Sequence, residues 1–241
     1  MSELAQRENG GKGRYIGSVA PSLAGLTLLI GLSLGYPSLI FPFQSEVSTL
    51  VFIVICVLGA LAGQYPSQIR GLTSKTPRRD EVGPGFFGHH PSCGRFDTHV
   101  LKFRGKVLCA GCTGLTIGAV AAAMISVYAL FYPIQAPALI TLVIGVMLAG
   151  IGIIQYSLSR EPRIHLVLNV ALVTGVAVAR IGASQLNGGI AVDAYALALS
   201  IYLIIARIDL SSGDHEAICG SCPNPCERSY VTNRNLSIID D

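Results

Sequence analysis

Six of the seven cysteines fall into two short groups, each with a histidine at a spacing typical of metal ligands. The first group contains His89, His90, Cys93, Cys109 and Cys112. With His90 as a ligand the pattern is H-x2-C-x15-C-x2-C, within the range of zinc ribbons. Each x2 pair lets one tight turn present two donors to a tetrahedral ion. His89 is the nearest rival of His90, and unliganded reduced thiols are the alternative to a metal site.

The second group lies near the C-terminal end of the chain and again offers one histidine and three thiols, at His215, Cys219, Cys222 and Cys226. Thiolate and imidazole donors favour zinc, which predicts about two zinc ions per chain. Closely spaced thiolates also occur in iron–sulfur clusters, which stay open as the alternative for this group. A third possibility is one composite site that pools both groups. It requires the third and last membrane spans to end near each other.

The residues between the first two cysteines of the first group predict how it is assembled. Residues 99–103 and 106–108 read as two short strands around Arg104 and Gly105, which is a β-hairpin pattern. This zinc-ribbon-like hairpin would return Cys109 towards Cys93, with His99 on its surface. Cys112 directly precedes the third apolar run, so the N-terminal end of that helix directs partial positive charge at the thiols.

The stretch HHPSCGRF…LCAGCTGLTIGA, from His89 to Ala119, resembles the signature of a prokaryotic, largely archaeal family of small membrane proteins known as a domain of unknown function. Its members have a first His/Cys element, a Cys-x-x-Cys-Thr-Gly element and then a glycine-containing helix. This chain has His89-His90 where familiar members have Cys-His, and Gly111 where they have arginine. The resemblance implies a membrane protein with a metal-type motif and no particular activity.

Composition indicates an all-α membrane protein. Charged residues are 13% of the 241-residue chain, about half the usual share, and most of them lie outside a few apolar runs. Runs near the length of about 20 residues that crosses a bilayer predict six transmembrane helices, at residues 16–36, 47–63, 113–132, 137–156, 164–181 and 189–208. Asp193 and Arg207 shorten the last run, so five spans is the alternative.

The distribution of Lys and Arg predicts the orientation. With the N-terminus inside, Arg180 is the one basic residue of 17 that falls on the outer side, as the positive-inside rule favours. We therefore expect a multi-pass protein of the plasma membrane with both termini in the cytoplasm. Thiols are kept reduced there, which favours metal ligation over disulfides.

The predicted organisation has five parts. They are a cytoplasmic N-terminal tail at 1–15, transmembrane helices 1 and 2 at 16–63, a cytoplasmic linker with the His/Cys metal module at 64–112, transmembrane helices 3 to 6 at 113–208, and a cytoplasmic cysteine-rich tail at 209–241.

Polar and small residues within the spans have structural interpretations. His165 and Asn169 share a helix face and predict an interhelical hydrogen bond. Arg180 and Asp193 flank a short loop and predict a salt bridge, and Arg207 with Asp209 ends the last span. Three glycine pairs predict close helix packing: Gly31 with Gly35, Gly59 with Gly63, and Gly114 with Gly118.

These features predict a non-catalytic membrane subunit or scaffold whose closed cytoplasmic metal sites form a docking surface for a membrane or cytoplasmic protein partner. The alternative is a membrane redox protein or metalloenzyme that uses the C-terminal cysteines. The lipid bilayer is the other expected partner, and we expect no nucleic-acid partner.

Overall fold

The computed structural model describes residues 2–35, 39, 41–64, 86–87, 96, 99–132, 134–158 and 161–220. Seven helices and three strands lie within these residues. The helices are α1 (Ser2–Gly35), α2 (Gln44–Gln64), α3 (Ala110–Phe131), α4 (Ala138–Ile153), α5 (Gln155–Leu158), α6 (Pro162–Leu186) and α7 (Ile190–Gly220). The strands are β1 (Phe86–Phe87), β2 (Val100–Phe103) and β3 (Lys106–Cys109).

Five helical segments in the described part of the chain are long and apolar enough to cross a membrane. They are Tyr15–Gly35, Gln44–Gly63, Ala110–Phe131, Pro162–Leu186 and Ile190–Asp214. This is the architecture expected of a multi-pass helical membrane protein, and five of the six predicted spans are helices of sufficient length and apolar character.

The remaining predicted span, residues 137–156, is shorter in the structure. The helix α4 has 16 residues, which is about 24 Å at the α-helical rise and less than a hydrocarbon core of about 30 Å. The backbone turns at Ile154 before α5 begins at Gln155. This turn directs a fully buried glutamine into the bundle.

The last helix is longer than the sequence predicts. It continues from the predicted end at Ile208 to Gly220, so positions 215 and 219 lie one turn apart on the same helix. The residues immediately after the span are therefore helical and extend the bundle beyond the apolar region.

The helix α6 is the centre of the bundle. It packs along α4 on one side and along α3 on the other, while α2 packs on α3 and α1 packs on α7. A Cβ atom at Gly152 would lie 2.6 Å from Leu172 Cβ, and one at Gly175 would lie 2.5 Å from Ala149 N. Lipid supplies no hydrophobic drive between helices, so such close backbone contact stabilises the α4–α6 pair.

The predicted glycine pairs divide into two sets. A Cβ at Gly63 would lie 2.6 Å from Thr116 Oγ1, at Gly114 it would lie 2.6 Å from the Leu166 carbonyl oxygen, and Gly118 is also tightly packed. These three confirm the prediction of close helix packing. The prediction of close packing is wrong for the other three glycines, since a Cβ added to any of them would meet no atom within 4 Å. They are Gly31, Gly35 and Gly59.

The three strands form one small sheet in the order β1-β3-β2. The hairpin of β2 and β3 is antiparallel, with Val100 opposite Cys109. Its two turn residues, Arg104 and Gly105, have φ of +47° and +77°, as a two-residue type I′ turn requires. The predicted hairpin is confirmed. The parallel pairing of β1 with β3 was not predicted, because a two-residue strand carries no periodic signal.

Candidate functional site

Cys109 and Cys112 lie where β3 joins α3, at the end of the bundle where α3 and α6 begin and α2 and α7 end, here called the thiol end. Cys109 is the N-cap of α3 and is 1% exposed. Its Sγ accepts a hydrogen bond of 3.5 Å from the backbone N–H of Cys112. The helix N-terminus and this N–H both stabilise negative charge on the sulfur. Cys112 is the third residue of α3, whereas the sequence placed it just before the helix.

The C-terminal part of α7 lies against this junction. The terminal Nη2 of Arg207 is 3.0 Å from the position that a Cβ of Gly111 would occupy. About two turns further along α7, Asp214 Oδ2 is 2.7 Å from Nε2 of His99, which precedes β2. The hairpin that leads into α3 and the C-terminal part of α7 are therefore neighbours, which is the condition that a composite site requires. His99 is only partly exposed and contacts α7, whereas the sequence placed it on the hairpin surface.

Most of the other predicted metal ligands lie outside the described residues. They are His89, His90, Cys93, Cys222 and Cys226. For His215 and Cys219 the structure gives the helical backbone within α7. Among the residues that the structure describes, no three His, Cys, Asp or Glu side chains gather to form a metal site. Zinc ligation, and iron–sulfur ligation as its alternative, stay predictions.

Asn169 is the centre of a buried hydrogen-bond network that joins α5, α6 and α7. Its Oδ1 accepts from Arg207 Nε at 2.6 Å and from Gln155 Nε2 at 3.3 Å. Its Nδ2 donates to Gln155 Oε1 at 3.1 Å and to the carbonyl oxygen of His165 at 2.6 Å. His165 Nδ1 is 3.2 Å from the same Gln155 Oε1. The predicted interhelical role of His165 and Asn169 is confirmed.

The network continues towards the hairpin through an aromatic contact. The His165 ring stacks on His99 with 6.2 Å between centroids, and Phe96 and His99 form a T-shaped pair with 5.8 Å between centroids. The hairpin at the thiol end thus contacts the helices through polar and aromatic side chains, in addition to its covalent connection to α3.

Two members of this network were not assigned to it from the sequence. Gln155 is fully buried and Arg207 is 3% exposed, although both lie near ends of predicted spans, where exposure to water is the usual expectation. The prediction that Arg207 and Asp209 end the last span is wrong for both residues. Arg207 binds Asn169, and Asp209 Oδ2 accepts a hydrogen bond of 2.9 Å from Ser18 Oγ on α1.

A second polar group lies at the opposite end of the bundle. Arg180, 2% exposed, donates to Ser48 Oγ at 3.0 Å and to Thr49 Oγ1 at 2.8 Å. Asp193 Oδ2 accepts from Gln44 Nε2 at 2.8 Å. All three of these contacts are with α2. The salt bridge predicted between Arg180 and Asp193 is wrong, since these two described side chains bind α2 instead of each other.

A cleft of about 250 Å³ runs between α2 and α7 and is floored by α3 and α6. Its walls are mainly apolar, and its polar groups gather towards the thiol end, where Cys112, Arg207, Ser211 and Ser212 line it. We call it the α2–α7 cleft. Comparisons with protein-family models, with curated proteins and with solved structures find no match, so the family resemblance stays a prediction.

Proposed function

We propose that this chain is an integral membrane protein whose two cysteine groups together hold one composite zinc site at the thiol end. The site clamps the beginning of α3 to the end of α7 and forms a rigid, non-catalytic docking surface for a protein partner. We further propose that the thiol end faces the cytoplasm, as the distribution of basic residues favours.

The observation that carries this proposal is the adjacency of α7 to the hairpin and the first turn of α3. Asp214 of α7 contacts His99, which precedes the hairpin, at 2.7 Å, and the side chain of Arg207 lies beside Gly111 in the first turn of α3. Two separate zinc sites would not need these helices to meet. A shared site does need it, because tetrahedral zinc–sulfur bonds are about 2.3 Å long and tolerate little slack.

The donors fit zinc. Cys109 Sγ accepts a backbone N–H at a helix N-terminus, a geometry that suits a zinc-bound thiolate. A zinc ion with four protein ligands has no open position for substrate and stabilises structure, which is why we propose docking rather than catalysis.

The test is the metal content of purified protein, measured by mass spectrometry for the wild type, Cys109→Ser, Cys219→Ser and the matched control Cys56→Ala. Cys56 is buried between α2 and the α3–α6 pair, away from the thiol end. We expect about one zinc per chain in the wild type and control, and almost none in either serine variant, since loss of one thiolate ligand opens a structural site.

Three results would overturn the proposal. Two zinc ions in the wild type, with one lost in each serine variant, would show two independent sites. Iron with a brown chromophore would show a redox centre. Absence of metal from freshly purified wild-type protein would remove the site altogether.

A further inference from the structure

The α2–α7 cleft has the length of one bilayer leaflet. Its lining runs from Phe52 to Gly63 on α2 and from Ser200 to Ser212 on α7. The two stretches are about 16 Å and about 18 Å long at the α-helical rise, and half of a hydrocarbon core is about 15 Å. The cleft therefore extends from the thiol end to about the middle of the membrane.

The two ends of the cleft differ in chemistry. The end of the cleft farther from the thiol end is closed by Phe52, which is 2% exposed, and by Ser200, whose hydroxyl already donates to the Ala196 carbonyl at 2.6 Å. Neither residue presents an unsatisfied polar group, so this end of the cleft suits hydrocarbon. At the other end Arg207, which is 3% exposed and binds Asn169 through Nε, lines the mouth together with Ser211 and Ser212.

The mouth also includes the first turn of α3, at Gly111 and Cys112. A helix N-terminus carries partial positive charge, and here it lies beside the positively charged Arg207. Two sources of positive potential therefore meet at the mouth of the cleft. The chemistry that fits this mouth is a phosphate group, because guanidinium and hydroxyl groups donate hydrogen bonds to its oxygens.

The cleft opens sideways towards lipid. One rim is Ile208, which lines the cleft and is 54% exposed. On the opposite rim, Gly59 and Ile55 of α2 are half-buried, and α2 packs mainly on α3 rather than on α7. A hydrocarbon chain can therefore enter from the bilayer without passing through water, and it gains dispersion contacts with both walls.

We propose that the α2–α7 cleft is a binding site for an anionic phospholipid of the leaflet next to the thiol end. One hydrocarbon chain lies along the cleft, and the phosphate is held by Arg207 at its mouth. Such a site would make the position of the α3–α7 junction depend on the lipid. The inference does not require the metal centre.

Native mass spectrometry of the detergent-purified full chain tests this site. Retention of dioleoyl-phosphatidylglycerol is compared with that of dioleoyl-phosphatidylcholine, which has the same chains and no net charge. We expect the wild type to retain the anionic lipid at least about tenfold better, as one charge-assisted contact supplies. Arg207→Gln should bring this ratio close to one.

Because Arg207 also binds Asn169, a second variant tests the cleft without touching that network. Gly59 lines the cleft, and a Cβ added there meets no atom within 4 Å. Gly59→Leu should therefore fold normally, fill the cleft and lower retention of both lipids about tenfold. The matched control is Gly31→Leu on α1, which is equally open but lies outside the cleft.

The outcomes separate the alternatives. Equal retention of the two lipids by the wild type, or unchanged retention by Gly59→Leu, would overturn the proposal. Displacement of the phospholipid by an equal concentration of oleate would assign the cleft to a free fatty acid instead. The zinc content of the same samples is measured as well. It distinguishes failure of the proposed zinc site from failure of the proposed phospholipid site, because each site can be absent while the other is present.

Discussion

The change Asn169→Ala tests whether the buried network joins the helices of the bundle. It removes the two side-chain hydrogen bonds with Gln155 and the bond of 2.6 Å with Arg207. It also removes the bond of the Asn169 amide to the carbonyl oxygen four residues earlier on the same helix.

The expected loss follows from these contacts. A hydrogen bond between membrane helices contributes about 0.6 kcal/mol, so the two bonds with Gln155 contribute about 1.2 kcal/mol. The bond with the charged Arg207 contributes about 2 kcal/mol, and its loss leaves a buried guanidinium with fewer partners. We expect the free energy of unfolding to fall by about 3 kcal/mol, which is about 150-fold in the folding equilibrium constant.

The matched control is Thr174→Ala on the same helix. The Thr174 hydroxyl donates to the Val170 carbonyl four residues earlier at 2.7 Å and also approaches the Ala171 carbonyl, so its bonds stay within α6. Both variants gain similar helix propensity from alanine, within about 0.7 kcal/mol. The difference between the free energies of unfolding of the two variants therefore gives the contribution of the interhelical bonds.

The assay is reversible unfolding in mixed micelles of mild detergent and sodium dodecyl sulfate, followed by far-ultraviolet circular dichroism. Tyrosine fluorescence supplies a second probe, because the chain has nine tyrosines and no tryptophan. If Asn169→Ala is no less stable than Thr174→Ala, the network does not join the helices and the bond between Arg207 and Asn169 does not stabilise the fold.

Three further results are expected. Gly145→Ala should lower the free energy of unfolding by about 2 kcal/mol or more, because a Cβ there would overlap the backbone of α6. Gly31→Ala, whose Cβ would meet no neighbour, should leave it unchanged. Equal stabilities of the two variants would refute the close packing of α4 on α6. Arg180→Lys should lower the free energy of unfolding by about 1–2 kcal/mol, because a single ammonium nitrogen replaces the two guanidinium nitrogens that donate separately to hydroxyls of α2. The exposed Arg104→Lys is the control that should stay unchanged. In intact cells an impermeant thiol reagent should label Leu39→Cys, at the end opposite the thiol end, and not Arg104→Cys in the hairpin; the reverse pattern would invert the proposed orientation.

The sequence by itself determined the features that depend on neighbouring residues along the chain. Apolar length predicted a helical membrane protein, because a span must satisfy its backbone groups internally. The hairpin followed from two short strands around Arg104 and Gly105, and the placement of Cys109 and Cys112 beside a helix N-terminus followed from their distance to the third apolar run. Each of these is a local property of consecutive residues.

Only the tertiary structure decided which polar groups meet. The partners of Asn169 come from a turn 14 residues earlier and from a helix 38 residues later, and Arg180 binds α2 more than 130 residues away. These pairings depend on how far each helix is rotated and how closely it crosses its neighbours. Glycines such as Gly152 and Gly175 permit the close crossing of α4 and α6, but their periodicity does not identify the partner helix. The α2–α7 cleft has the same origin, since it exists where two helices separate rather than where any one segment has a distinctive sequence.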